Sequence, residues 1–427
     1  MNIKLVDLNR QYELHKAEFD AAINSVIAAS AFIGNTSNPF VRSFEENFAR
    51  YSGSQFCIAC ANGTDSLEIL LKSMGIGMGD EVIVPAISWI ATSEAVSNIG
   101  ATPVFVDIEE TYYGINPKLI EAKITEKTKV IIPVHLYGHP ADMPAIMAIA
   151  QKHKLIVLED CAQAHGAAID GKKIGTFGVS ASYSFFPGKN LGALGDAGGM
   201  TTDDERIAEM ARMISQHGQS GRKHSHQIEG RNSRMDGIHA AILDVKLTYL
   251  DEWTKSRISH AARYDELLEG CDVILPKVKP GVKHVFHLYV IRSKQRDKLM
   301  QYLGEKGIST TIQYPVALPL LEAYKDRGFS ANDFPVAAMI QNEVLSIPMF
   351  PELRPEEIEY IADAFVVSKA KKSVVNLHPD PFQHIPEWIL VGEFILSQFD
   401  NLKLPLNLLA GTPVDIGDDN YIAIIIQ

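Results

Sequence analysis

The sequence predicts an α/β protein: a large domain built on a mostly parallel sheet, followed by a smaller α+β domain. Two observations carry this prediction. Over roughly residues 55–200, short apolar runs rich in Val and Ile alternate with helical segments, which is typical of strands covered by helices on both faces. After about residue 234 the pattern changes to a long helical stretch with fewer strands.

In the first part, strands and helices alternate in chain order. The predicted strands are 81–88, 102–108, 129–138 and 155–160, and the helices between them are 92–100 and 141–154. The strands are nearly all apolar and β-branched, as expected for a parallel sheet buried on both faces.

In the second part, apolar residues recur at three- and four-residue spacing over 234–270, which predicts a long helix. A strand follows at 284–293, then a helix over 295–307 that ends at Gly307, and a further helical segment at 333–346. The predicted domains are 1–250 (N-terminal arm and large domain), 251–372 (small domain) and 373–427 (atypical extension). We expect the apolar YIAIIIQ end of the extension to be packed, because an exposed apolar strand favours aggregation.

Composition excludes several classes of protein. The chain has 427 residues, 46% of them hydrophobic, and 40 basic against 52 acidic side chains give a net charge of −12. It is too apolar to be disordered, and it lacks the excess of cations that nucleic-acid binding requires. The charged N-terminus contains no secretory signal, and no uninterrupted apolar run reaches the ~18 residues of a membrane span. We therefore expect a cytoplasmic protein.

Four cysteines in a chain of this length fit a reducing compartment. Cys57 and Cys60 have the spacing of a redox or zinc pair, but no second pair is available to complete a zinc site. Because they lie in an apolar run, we interpret them as buried strand residues, and we expect no metal site.

Three segments carry residues that are unusual for a purely structural role. In 61–67, Gly63 and Thr64 follow a strand and open a helix, which favours a phosphate site, although the same residue types also serve as ordinary helix caps. Asp160 ends an apolar strand, where ligands of open α/β sheets bind, and helix capping is the alternative.

The third segment places Lys189 in a Gly-rich loop after two aromatic residues. Desolvation there would lower the pKa of its amine and make it nucleophilic, whereas an ordinary surface loop is the alternative. The loop is not a mononucleotide P-loop, because Tyr183 and Asn190 stand where Gly and Ser or Thr would be required. A phosphate cradle, a strand-end carboxylate and a desolvated lysine together are what pyridoxal 5′-phosphate needs.

The chain resembles the DegT/DnrJ/EryC1/StrS family of sugar aminotransferases. The resemblance runs from LVDLNRQY (5–12) to SIPMFPEL (346–353) through NGTDSL, PAISWIAT, EDCAQAHGA, SYSFFPGKNLGALGDAG and GRNSRMDGIHAAIL. It implies a fold-type I pyridoxal phosphate-dependent transferase. It also implies that the small domain ends near residue 372, so that 373–427 is an appendage.

The resemblance assigns cofactor roles to eight residues: Gly63, Thr64, Trp89, Asp160, Gln163, Ser184, Lys189 and Asn232. Lys189 resembles the lysine bound covalently to the cofactor, Asp160 the partner of the ring nitrogen, and Gln163 the group near the ring hydroxyl. Trp89 resembles the aromatic residue stacked on the ring, with a core anchor as the alternative. The phosphate ligands would be Gly63, Thr64 and Ser184.

Asn232 resembles the asparagine that reaches this phosphate from the neighbouring subunit, which implies a homodimer with shared active sites. The implied reaction transfers an amino group from L-glutamate to a nucleotide-linked keto sugar. FFPGKNLGALGDAG resembles the branch that aminates C3 rather than C4, and the presence of Lys189 argues against the branch that uses histidine for dehydration. The alternatives are a pyridoxal phosphate enzyme for free amino acids and a catalytically silent regulator.

Substrate contacts are predicted at five residues: Arg222, Lys223, His224, Arg234 and Tyr314. The cations of 222–224 could bind the diphosphate, or they could belong to a solvated loop. Arg234 could contact substrate or form a salt bridge at the helix start. After Tyr314, Pro319 stands where the family often has histidine, so the sugar-binding part of the site departs from the family pattern.

Overall fold

A computed structural model describes residues 1–34, 37–220 and 224–375. Met1–Tyr360 forms one compact unit, and a second unit begins at Ile361. The YIAIIIQ segment lies outside the described residues, and the division of the chain at residue 250 stays a prediction.

The strands are short, and the helices lie between them along most of the chain. The strands are β1 Phe56–Cys60, β2 Glu81–Pro85, β3 Thr102–Val106, β4 Thr128–Ile131, β5 Ile156–Asp160, β6 Ala168–Ile169, β7 Lys172–Lys173, β8 Ser180–Ser184, β9 Gly198–Thr202, β10 Val282–Lys283, β11 Tyr289–Arg292 and β12 Val344–Ile347. The helices are α1 Leu8–Leu14, α2 Lys16–Ala28, α3 Pro39–Ser52, α4 Gly63–Ser73, α5 Ala91–Asn98, α6 Pro117–Ile120, α7 Met143–His153, α8 Glu205–Ser215, α9 Gly237–Leu247, α10 Leu250–Leu267, α11 Arg296–Glu305, α12 Pro335–Ile340 and α13 Pro355–Val375.

The central sheet has the strand order β1-β9-β8-β5-β4-β2-β3. Strand β9 runs antiparallel to both of its neighbours, and the pairs from β8 to β3 are all parallel. The carboxyl ends of β1, β2, β5 and β8 therefore share one edge of the sheet, where ligands of such folds bind. The predicted α/β class with a mostly parallel sheet is confirmed.

Alternate residues of the strands enter different parts of the core. Val82, Val84 and Leu158 pack on one face of the sheet, and Ile83 and Val157 pack on the other. Because side chains alternate along a strand, a continuous apolar run is needed to bury both faces. This explains why the strands could be recognised from their composition.

The predicted strand at 129–138 is too long. Strand β4 ends at Ile131, and a single turn of 3₁₀ helix over Leu136–Gly138 follows. Pro133 has no N–H for a sheet ladder, although its carbonyl still accepts from Asp160 N at 2.9 Å. Tyr137 has a φ of 59°, which turns the chain sharply toward the sheet edge.

The second part of the chain differs from the prediction in three places. The long helix over 234–270 is two helices, because α9 ends at Leu247 and α10 begins at Leu250. The strand predicted at 284–293 is confined to β11, since Phe286 has a φ of 43° that no strand accommodates. The segment predicted as helical to 346 ends as α12 at Ile340, and β12 then pairs antiparallel with β11. Local apolar spacing did not distinguish this buried strand from the end of a helix.

Cys57 and Cys60 are buried in β1, and they pack into different parts of the core. Burial raises the pKa of both thiols. Residues three apart on a strand face opposite sides of the sheet, so the two thiols cannot bind the same metal ion. The interpretation as buried strand cysteines is confirmed. Among the described residues, no helix is long and apolar enough to cross a membrane.

Candidate active site

The predicted phosphate cradle forms where β1 passes into α4. The side chain of Asn62 caps the helix by accepting from Asp65 N at 2.8 Å, so capping is the role of Asn62. Gly63 and Thr64 begin the helix, and their N–H groups have no carbonyl one turn back to bind. A Cβ on Gly63 would lie only 2.7 Å from Cβ of Ser184 at the end of β8. The structure thus brings the three predicted phosphate ligands together, and no residue in the described ranges accepts from the N–H groups of Gly63 and Thr64.

Asp160 lies at the carboxyl end of β5 with 5% of its surface exposed. Its Oδ1 accepts from Ala162 N at 3.1 Å and its Oδ2 from the Thr92 hydroxyl at 2.9 Å. Burial is the main influence on this carboxyl and raises its pKa, while these two donors and the charge of Lys189 act in the opposite direction. A cationic ring nitrogen would compensate the cost of this buried charge.

The side-chain amide of Gln163 is held in one orientation. Its Oε1 accepts from Tyr137 N at 2.7 Å, and its Nε2 donates to the Tyr314 hydroxyl at 2.9 Å. The second Nε2 hydrogen suits an acceptor such as a phenolic oxygen. The N–H of Tyr137, whose backbone is left-handed, therefore fixes the position of the Gln163 oxygen and leaves the amide nitrogen on the other side.

Lys189 lies in a loop that is fixed on both sides. Asn190 donates to the Val285 carbonyl at 3.1 Å and contacts His287 at 3.2 Å. Further along, the buried Lys246 donates to the Gly192 carbonyl at 2.8 Å. These contacts favour an ordered loop at the site over the ordinary surface loop that was the alternative for this segment.

Burial lowers the pKa of Lys189 to about 8, and the nearby Asp160 carboxylate opposes that effect. The carboxylate and the amine therefore act on one another across the sheet edge. Because an ordinary lysine has a pKa near 10.5, the neutral, nucleophilic amine of Lys189 is much more populated near neutral pH.

Two aromatic side chains border this edge. Trp89 is 59% exposed, which excludes the core-anchor alternative, and its ring centroid lies 5.9 Å from that of Tyr314. Tyr314 in turn binds Gln163 and lies close enough to Asp160 for the carboxylate to contribute to raising its pKa. An exposed indole beside a buried carboxylate and a nucleophilic lysine suits a flat, heteroaromatic ligand.

The remaining predicted residues are less closely grouped. Asn232 is exposed, while the next residue, Ser233, accepts from Ala61 N at 3.2 Å. The neighbouring Arg231 pairs with Asp65 and Glu68, whereas Arg234 forms no salt bridge with any residue that the structure describes. The salt bridge that was the alternative for Arg234 is therefore not formed there. His224 is exposed in a turn, and Arg222 and Lys223 lie outside the described residues.

Three contacts at the site were not predicted from the sequence. Thr92 and Ser88 support Asp160, and the N–H of Tyr137 supports Gln163. Thr92 and Ser88 flank Trp89 in PAISWIAT, so two small hydroxyl residues after a buried strand were the available signal.

His135, Glu159 and Cys161 form a buried group compact enough to hold a metal ion. Glu159 accepts from three N–H groups of the 175–178 loop at 2.7 Å each, and from His135 Nε2 at 3.0 Å. His135 Nδ1 accepts from Ala141 N at 3.0 Å, so its proton is on Nε2. These contacts use the polar atoms of both residues, and the group stabilises the base of the site.

A model of the DegT/DnrJ/EryC1/StrS aminotransferase family matches residues 14–366. The chain belongs to this family. Membership confirms the predicted fold class and the aminotransferase class of enzyme. Solved structures among the matches hold the cofactor in its pyridoxal or pyridoxamine phosphate form, and the grouping of Gly63, Asp160 and Lys189 fits that cofactor.

Individual members of the family are similar over nearly their whole length. The chain is 46% identical to a pleiotropic regulatory protein of Geobacillus stearothermophilus, over 85% of this chain and 97% of that protein. It is 43% identical to a UDP-N-acetyl-3-dehydro-alpha-D-glucosamine 3-aminotransferase of Acidithiobacillus ferrooxidans, over 84% of this chain and 96% of that one. The crystal structure of S. venezuelae DesV superposes with a TM-score of 0.83 at 39% identity, covering 89% of this chain and 100% of DesV.

Proposed function

We propose that this family member uses pyridoxal phosphate to transfer an amino group from L-glutamate to C3 of a nucleotide-linked keto sugar. The observation that carries the chemistry is that the buried Asp160 carboxylate lies near enough to Lys189 to influence its charge, while burial lowers the pKa of Lys189 to about 8. The similarity to a UDP-linked 3-dehydro sugar aminotransferase supports the substrate class.

The cofactor is held by groups from four strand ends. The N–H groups of Gly63 and Thr64, with the Ser184 hydroxyl, bind the phosphate, as anions bind at helix N-termini. Asp160 would bind the ring nitrogen, Gln163 would donate to the ring hydroxyl, and Trp89 would cover the ring. In a homodimer, Asn232 reaches the phosphate held by the other subunit, which makes the dimer necessary for full activity.

When bound, pyridoxal phosphate supplies an electron sink for the bond that breaks at the donor carbon. Asp160 would keep the ring nitrogen protonated and so make the cofactor a stronger electron acceptor. With the cofactor in place, the amine of Lys189 would accept a proton from the donor carbon as base and afterwards release it as acid. A pKa near 8 allows the same amine to perform both steps.

The sugar nucleotide lies at the outer side of this edge. Tyr314 is held by Gln163 at 2.9 Å, and its hydroxyl hydrogen donates to the sugar. Arg234, His224 and the cations at 222 and 223 contact the diphosphate. Pro319 is buried where the family often has histidine, so sugar recognition here relies on shape and on Tyr314 rather than on an imidazole.

The product is an amino sugar for a surface polysaccharide, such as lipopolysaccharide, or for a glycosylated metabolite. Four cysteines in a chain of 427 residues support a reducing, cytoplasmic location. A second candidate function, a regulatory protein, is favoured by the name of the Geobacillus relative. The complete set of Lys189, Asp160 and cradle residues favours the enzyme, because regulation alone requires none of them.

The amine of Lys189 gives this proposal a pH signature. Capture of pyridoxal phosphate by the apoprotein requires the neutral amine, so its rate should rise with pH and reach half its maximum near pH 8. Growth of the cofactor's visible absorbance measures that rate. A half-maximum near the ordinary lysine value of 10.5 would show that Lys189 is not desolvated as described.

The substrate is tested by running the reaction in reverse. Holoenzyme is mixed with 2-oxoglutarate and with 3-amino and 4-amino sugars linked to dTDP, UDP or GDP, and glutamate is measured. We expect glutamate from at least one 3-amino sugar. If only 4-amino sugars yield glutamate, the position of amination is C4 rather than C3. If no sugar yields glutamate, the assignment of a sugar substrate is wrong.

A further inference from the structure

A chain of three hydrogen-bonding side chains leads from the β2–α5 connection to the carboxylate of Asp160. The Thr92 hydroxyl lies 2.9 Å from Asp160 Oδ2, and the Ser88 hydroxyl lies 2.8 Å from that of Thr92. The exposed fractions of Ser88, Thr92 and Asp160 are 4%, 1% and 5%. These polar groups are therefore shielded from water and depend on each other for partners.

The direction of the hydrogen bonds follows from counting hydrogens. An ionised carboxylate only accepts, so the single hydroxyl hydrogen of Thr92 is directed to Asp160. The contact between Ser88 and Thr92 must then use the hydrogen of Ser88. Both hydroxyl dipoles point toward the carboxylate, and aligned donors of this kind strengthen each other in a low-dielectric interior.

The backbone around Thr92 adds to this effect. Thr92 lies in the first turn of α5, where the partial positive charge of a helix stabilises a nearby anion. Ala162 N binds the other carboxylate oxygen at 3.1 Å. Each oxygen of Asp160 thus has one protein donor and retains a lone pair for the site.

The same segment also carries the exposed ring of Trp89, between Ser88 and Thr92 in the chain. Residues 88–92 therefore present an aromatic face to the site on one side and two hydroxyls to the carboxylate on the other. A shift of this segment would move the ring and the carboxylate partner together.

We propose that Thr92 and Ser88 are positioning residues that keep Asp160 ionised and aimed at the ring nitrogen of the cofactor. The proposal rests on the proposed function and adds a pair of residues that act through Asp160. Two carboxylate oxygens with fixed donors cannot rotate freely, so the remaining lone pairs keep their direction. Simple packing of two small side chains is the competing explanation.

Three variants of the full-length holoenzyme distinguish the explanations. T92V keeps the shape of the side chain and removes its hydroxyl, T92S keeps the hydroxyl and removes a methyl group, and S88A removes the second donor. We expect T92V to lower kcat for glutamate about tenfold, the effect of one lost hydrogen bond to a charged group. The KM for glutamate should change by less than about twofold, since Thr92 does not contact glutamate in the proposed site.

Loss of the Thr92 donor should also raise the pKa of Asp160. The acidic limb of the kcat profile, and the pH dependence of the bound cofactor's absorbance without substrate, should both move up by about one pH unit in T92V. T92S should behave as the unmodified enzyme. S88A, one step further from the carboxylate, should show a smaller shift in the same direction, and it tests the proposal if T92V does not fold.

Two results would overturn the proposal. Equal defects in T92V and T92S would indicate packing, and unchanged pH profiles and absorbance in T92V and S88A would exclude a positioning role. In either case the unmodified enzyme would still be coloured and would turn over glutamate, so the proposed function would stand. An unmodified protein that neither binds pyridoxal phosphate nor uses glutamate would reject both.

Discussion

Replacement of Lys189 by alanine should lower the turnover of glutamate and keto sugar by about 10⁴-fold or more, because in the proposed mechanism its amine acts as base and then as acid. Borohydride reduction should attach the cofactor to Lys189 in the unmodified enzyme, and no attachment should occur in K189A. Peptide mass spectrometry after reduction measures the attachment, and glutamate consumption measures the turnover.

Lys246 provides an internal control for this experiment. Burial also lowers its pKa to about 8, but its amine donates to the Gly192 carbonyl at 2.8 Å. A low pKa alone would therefore make Lys246 equally reactive, whereas the geometry of the site predicts cofactor only on Lys189. Cofactor attached to Lys246 after reduction, or full turnover by K189A, would contradict the assignment of Lys189 as the cofactor-binding lysine.

Replacement of Asp160 by asparagine should lower kcat about a thousandfold while leaving the protein folded, because it removes the buried charge that we propose as the partner of the ring nitrogen. The phosphate cradle and Lys189 are unchanged, so D160N should still bind the cofactor, and its affinity should fall much less than kcat. Single-turnover kinetics with glutamate and equilibrium dialysis of pyridoxal phosphate separate the two effects.

Asp142 is a suitable control for the charge itself. It is half-buried and pairs with Lys279 at 2.8 Å, so D142N removes the same charge without touching the site. We expect near-normal kcat in D142N. A D160N enzyme within a few-fold of normal kcat would mean that the ring nitrogen does not depend on this carboxylate.

The positions of Gly63, Asp160 and Lys189 at one sheet edge were largely predictable, because the first two follow strands that are recognisable by composition. Asp160 ends an apolar run, and Gly63 follows another. Parallel strands bring their carboxyl ends to one edge, so local patterns suffice to place such residues together. The lowered pKa of Lys189 follows from the apolar residues that flank it.

The supporting contacts were not predictable in the same way. Thr92 binds a carboxylate 68 positions away, and Gln163 binds a tyrosine 151 positions away. Such pairs depend on strand order and on turns like the left-handed Tyr137, which no local spacing reveals. The same limit explains β12, whose pairing with β11 outweighed the helical pattern before it.

Recognition of the sugar was the least predictable part of the site. Pro319 replaces a residue that the family pattern would have supplied, and the cations at 222 and 223 lie outside the described residues. Tyr314 is the predicted substrate residue that the structure connects to the site, through Gln163 and Trp89.

The central claim is that this site exchanges amino groups between glutamate and a nucleotide-linked keto sugar through pyridoxal phosphate. Absorbance of the holoenzyme tests it directly in two additions. L-glutamate alone should remove the yellow colour as the cofactor takes up the amino group, and a nucleotide-linked 3-keto sugar should then restore it. Colour that glutamate does not change, or that only 2-oxo acids restore, would contradict the claim.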